Sequence, residues 1–208
     1  MIRALCAVLL LAASASAAPL ALPSFESSAR DLQATLAVAR AASVKTLSSD
    51  IGPRLDSMAW DLRTSQQDAS RLRDDLRWLM SRIGSGGGPR DPRRDPRRDP
   101  RWELQRFNQS LADLSRNAQW RLNDLRALSA QAPKDPELVA HVQRVIDAAR
   151  WLKSETNQLV FDARFDVFQL MTAGYALESM DLDRNTRDLD RAAQDLQAEA
   201  ERLLGKVR

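Results

Sequence analysis

Leu182, Leu189, Leu196 and Leu203 recur every seven residues, each followed four positions later by Thr186, Ala193, Ala200 or Val207. Seven residues is close to two turns of α-helix, so both rows fall on one face. The rest of that segment is rich in Asp, Arg and Gln, which leaves one apolar seam on a polar helix.

Four earlier segments carry related patterns. From about Ser24 to Ser49, Phe25, Ala29, Leu32, Leu36, Ala39, Ser43 and Leu47 mark a weak face, with Ser24 as a plausible N-cap. From about Pro53 to Ile83, Leu55, Leu62, Ala69, Leu76 and Ile83 are seven apart, interleaved with Met58, Ser65, Leu72 and Leu79. From about Trp102 to Ala130, Leu104, Leu111, Ala118 and Leu125 form one row; Phe107, Leu114 and Leu128 form the other, which Arg121 interrupts. From about Pro136 to Ala173, Leu138, Val142, Val145, Ala149, Leu152, Leu159 and Ala163 share a face. Val160, Phe161, Val167 and Phe168 widen that face, which predicts contact with two neighbours.

The breaks between segments are equally legible. Gly52-Pro53 predicts an end and a fresh start, because proline lacks the amide donor and suits the first helical position. Asp135 is a good N-cap before Pro136 and Glu137. Gly174 predicts a tight turn, since the heptad phase does not carry across it. From residue 84 to 101, glycines give way to Asp-Pro-Arg-Arg at 91–94 and 95–98 and then Asp99-Pro100-Arg101. Proline at every fourth position opposes both helix and paired strand, so a disordered linker is expected there.

The pattern predicts an all-α, antiparallel helical bundle of about five long amphipathic helices with coiled-coil-like packing. Residues 18–83 would form an N-terminal hairpin and residues 102–208 a three-helix up-down-up unit, with the hairpin docked because two helices alone bury little.

Residues 1–17 read as a secretory signal peptide. Arg3 supplies the positive charge, Ala4–Ala13 the uncharged apolar stretch and Ala15-Ser16-Ala17 the small-residue cleavage site. That stretch is too short to span a bilayer, and no later segment is long and uncharged enough. Export is the expectation, to a periplasmic or extracellular place, with a bacterial envelope as the setting. Cys6 is the only cysteine and lies inside the signal, so the processed chain has no thiol for disulfide, nucleophile or haem attachment.

Thirty-one basic residues against twenty-eight acidic give a net charge of +3, too small over 208 residues to be a nucleic-acid footprint. The excess is local to Arg90–Arg101, with six arginines against three aspartates. Arg93, Arg94, Arg97 and Arg98 are candidate contacts for a polyanion, guanidinium forks being suited to phosphate. A hydrophilic spacer is the blander account of the same repeat.

No catalytic, cofactor or metal site is expected. His141 is the only histidine; it could ligate haem or metal with Met58, Met80, Met171 or Met180, but the Glu-x-x-His motif of di-iron bundles is missing. Carboxylates such as Asp74-Asp75, Asp181, Asp183, Asp188 and Asp190 interleave with arginines, which reads as solvated ion pairing along helix backs. Asn108-Gln109-Ser110 is a weak glycosylation match. Trp60, Trp78, Trp102, Trp120 and Trp151 lie at stripe edges and are expected to wedge between helices of the same molecule.

The functional expectation is a non-enzymatic scaffold, adaptor or holdase-like binder acting through helix surfaces. Leu182, Leu189, Leu196, Leu203 and Trp78 are the candidate interface, toward a protein partner or a second copy. Peripheral binding to anionic lipid or envelope polymer is the first alternative, and a cofactor protein using His141 the second.

Overall fold

The computed structural model describes residues 22–84 and 100–208. The expected signal peptide, most of the expected linker, and Arg93, Arg94, Arg97 and Arg98 lie outside the described residues.

Four α-helices and no strand occur among the described residues. They are α1, Leu22–Gly84; α2, Pro100–Gln131; α3, Glu137–Thr172; and α4, Ala176–Val207. The expectation of about five helices is corrected at Gly52-Pro53. α1 runs through that pair for 63 residues, so no hairpin forms there. Tertiary packing overrides the local breakers. Ile51 and Leu55 are both buried in the core on either side of the pair. Gly52 lies under the ring of His141, where an added Cβ would stand 3.3 Å from Nε2. Pro53 is exposed, and its missing amide forfeits one helical hydrogen bond.

The chain divides into two compact units, residues 1–43 and 44–208. In the first, Leu32, Leu36 and Val38 are exposed and Thr35 Oγ1 donates back to the Asp31 carbonyl. The second holds the core and all that follows.

Within residues 44–208, α2 and α3 both pack on α4. α1 is tied to α2 by Arg82–Glu103 at one level and Asp61–Arg121 at another, so those helices run in opposite directions. It is tied to α3 by Asp56–Arg144, Arg73–Glu155 and Arg77–Asp162, whose numbers rise together, so α1 and α3 run in the same direction. The heptad rows meet in one core: Leu55, Leu62 and Leu76 of α1, Leu111, Leu122 and Leu125 of α2, Leu152 and Leu159 of α3, and Leu189, Leu196 and Leu203 of α4. Asn108 reaches into it from α2, donating from Nδ2 to the Glu178 backbone carbonyl, while its backbone carbonyl accepts from Asn185 Nδ2.

Both described connections inside this unit obey local rules. Asp135 Oδ1 accepts the Glu137 amide at 2.9 Å, acting as the cap its sequence position predicts. Gly174 has φ 91°, the left-handed region that favours glycine, and the Tyr175 amide bonds back to the Leu170 carbonyl at 2.8 Å. No helix among the described residues is long and apolar enough to cross a membrane.

Candidate functional site

The sequence places the tryptophans at helix boundaries; the structure turns them outward. Trp60, Trp78, Trp102, Trp120 and Trp151 are 55–76% exposed, so wedging between helices is corrected. The widening of α3 is corrected at Phe161 and Phe168, while Val167 is half-buried against the core. The inner row of α3 is Leu152, Leu159, Ala163 and Leu170, all fully or almost fully buried. Phe161, Phe165 and Phe168 are 62%, 63% and 70% exposed. They follow one another at four- and three-residue steps, which keeps them on one face. That face lies about half a turn from the inner row, so α3 has two apolar stripes in different phase. The rings of Phe161 and Phe165 meet edge-on, with centroids 5.3 Å apart. The signal was present in the sequence as the 161, 165, 168 spacing, but pooling it with the core row concealed it.

The other interface candidates behave differently. Leu182, Leu189, Leu196 and Leu203 are buried inside this chain and present no surface. Trp78, the fifth, is exposed and lines a groove of about 420 Å³ with Leu72, Asp75, Trp102, Glu103 and Phe107. Arg82 stacks over the Trp78 ring at 4.7 Å and Arg106 over Trp102 at 5.7 Å.

Exposed apolar side chains gather toward one end of this unit. Trp78 of α1, Trp102 of α2, Phe161, Phe165, Phe168 and Met171 of α3, and Leu177 and Met180 of α4 are all exposed. Each lies within about 17 Å of its helix end at 1.5 Å per residue. Arg82–Glu103, Arg77–Asp162 and Asn108–Glu178 bring those ends to one level.

A cleft between α1 and α3 at that end is lined by Arg77, Met80, Ser81, Asp162, Phe165, Asp166 and Gln169. Burial, reinforced by the nearby Asp162 carboxylate, pushes Asp166 up to about 6 against the opposing pull of Arg77. Arg77 itself pairs with Asp162 at 2.9 Å.

His141 stands elsewhere, with Nδ1 3.0 Å from Asp56 Oδ1 and Nε2 against Gly52. Burial raises the Asp56 carboxyl, but His141 and Arg144 together outweigh it and hold the group below its ordinary value. Of the methionines considered as its partners, Met58 and Met80 are buried and Met171 and Met180 are exposed. Among the described residues no three His, Cys, Asp or Glu side chains gather as a metal site. Asn108 of the sequon is buried.

Comparison with protein-family models, with curated proteins and with solved structures finds no match to this chain.

Proposed function

We propose that this chain is an exported, non-enzymatic helical protein that holds other polypeptides by their apolar segments. The carrying observation is the Phe161–Phe165–Phe168 stripe, exposed on the side of α3 opposite its own core. Anchors at these steps are the spacing by which a helix engages an apolar partner. Solvent exposure of three phenylalanines on one face is costly unless something covers them. In this reading the four helices close into an antiparallel bundle with coiled-coil-like seams, a rigid platform whose seams are used up internally and whose outer stripe does the binding. Export rests on the charge, apolar run and small-residue pattern of residues 1–17.

Reduced insulin, whose freed B chain aggregates, tests this directly. The processed chain should suppress light scattering at near-equimolar ratio. Phe161→Gln/Phe165→Gln/Phe168→Gln should abolish suppression with helical circular dichroism unchanged, glutamine being a good helix former. Equal suppression by the triple variant, or none by the parent, ends the reading.

One observation favours a second reading, an anionic envelope surface. The exposed apolar side chains at one end come from all four helices, an arrangement that suits partial entry into a lipid interface. The segment with six arginines against three aspartates falls, in sequence, between the end of α1 and the first turn of α2. Cosedimentation with phosphatidylglycerol vesicles at low salt, weakened at high salt, is the expected result; no binding at low salt removes it.

A further inference from the structure

Two tryptophans on α1 and two on α2 are spaced alike. Trp60 and Trp78 are eighteen residues apart, and so are Trp102 and Trp120. Eighteen residues make five helical turns, so each helix shows both of its indoles on one side, about 27 Å apart. All four are more than half exposed.

The antiparallel register brings them together in pairs across the α1–α2 seam. Trp78 and Trp102 line one groove. At the other level the Asp61–Arg121 ion pair, 2.9 Å long, joins the immediate neighbours of Trp60 and Trp120. The midpoints of the two spacings are Ala69 and Leu111, both fully buried. At their level along the two helices, on the outer side, runs a shallow groove of about 320 Å³ lined by Asp68, Arg71, Leu72, Ser110, Asp113 and Leu114. A half-turn about the normal to this face therefore exchanges α1 with α2, laying Trp60 on Trp102 and Trp78 on Trp120.

The geometry points to a second copy of this chain as the occupant of the α1–α2 face. A C2 interface needs one patch that complements itself. Here two copies stacked face to face and centred on the midpoint place a tryptophan pair on a tryptophan pair, whichever in-plane axis relates them. Four of the charges between the pairs are already neutralised. Arg71 with Asp68 and Arg116 with Asp113 are already paired within their own helices. The area is of the right order. An aromatic side chain buries about 150–250 Å², so four of them exposed by 55–76% contribute roughly 500 Å² per copy. A standard interface needs about 800 Å² per partner, and the stems of Gln67, Arg71, Gln109 and Arg116 supply the remainder. This face is separate from the α3 stripe, so the inference stands or falls independently of the proposed binding activity.

Sedimentation velocity of the processed chain across a concentration series reads the outcome. A species of twice the chain mass is expected. Trp78→Gln/Trp102→Gln and Trp60→Gln/Trp120→Gln should each weaken association about tenfold or more, and the quadruple variant should be monomeric with unchanged helical circular dichroism. Trp151→Gln, on α3, should leave the dimer intact. The parent's tryptophan emission should shift to the blue as it is concentrated. A chain that is monomeric throughout, a dimer indifferent to the quadruple variant, or an emission shift seen only on adding anionic vesicles overturns self-association through this face.

Discussion

Side-chain hydroxyls in an apolar row show how finely this core is satisfied. Thr156 continues the Leu152–Leu159 row of α3 and is fully buried. Its Oγ1 has no hydrogen-bond partner among the described residues. Thr186, on the heptad row of α4, is buried too, but its hydroxyl donates to the Leu182 carbonyl at 2.8 Å. A buried hydroxyl without a partner costs about 1–3 kcal/mol. Thr156→Val removes the hydroxyl and keeps the branched shape, so it should stabilise the chain by about 1–2 kcal/mol. Thr186→Val, which breaks an existing bond but leaves the Leu182 carbonyl in its helical ladder, should gain less. Urea melts of both variants check the ordering; a loss of stability in Thr156→Val would mean that its hydroxyl is satisfied.

At the scale of elements, periodicity carries far and local breakers mislead. The seams of α2, α3 and α4, the Asp135 cap and the Gly174 turn are readable because each depends on neighbours in sequence. Gly52-Pro53 reads as a boundary for the same reason, since backbone preferences are local. The force that keeps α1 helical there is long-range, from Ile51 and Leu55 in the core and the His141 ring on Gly52. The candidate site was half legible. The heptad leucines of α4 look alike whether they close inside one chain or between two, because a seam pattern does not say which helix fills it. The exposed stripe of α3 was missed because Phe161 and Phe168 count as apolar wherever they point. Core membership of the α4 seam has a direct consequence. Leu189→Asp/Leu196→Asp buries two carboxylates without partners in a closed interior, at a cost of more than about 5 kcal/mol. The expected outcome is loss of the helical circular dichroism signal. Retention of full helicity with only a change of sedimentation coefficient would place those leucines at an interface.

For the whole molecule, the burial and pairing of individual carboxylates rather than net charge set the response to pH. Asp166 binds its proton more tightly folded than unfolded, with its value raised to about 6 from 3.8 by burial and by Asp162. Its contribution to stability is therefore fully present below about pH 3.8 and is lost as pH rises through about 6. Asp56 acts in the opposite sense. Burial alone would raise it, but His141 and Arg144 lower it overall. Glu201 is lowered too, by the amide of Gln197 first and then by Arg150. Both favour the fold above the ordinary carboxylate range and withdraw that support only as pH falls below it. Asp166 is the carboxyl whose raised value falls inside the window from pH 7 to 5, so its titration should add to stability on mild acidification, by up to about 1 kcal/mol for a half-buried group, before stability falls in stronger acid. Asp166→Asn, which fixes the neutral form, should flatten the curve between pH 5 and 7 and exceed the parent at pH 7. Asp56→Asn should leave the rise intact and weaken the chain above the carboxylate range, because Arg144 and His141 lose their anionic partner on α1. Thermal melts of the three proteins at half-unit pH steps decide it; a parent curve flat from pH 7 to 5 would mean that the Asp166 carboxyl is hydrated in the cleft. Phe165 also lines that cleft, so the same titration should alter the edge of the α3 stripe. Suppression of insulin aggregation by the parent should change between pH 5 and 7, and in Asp166→Asn it should not.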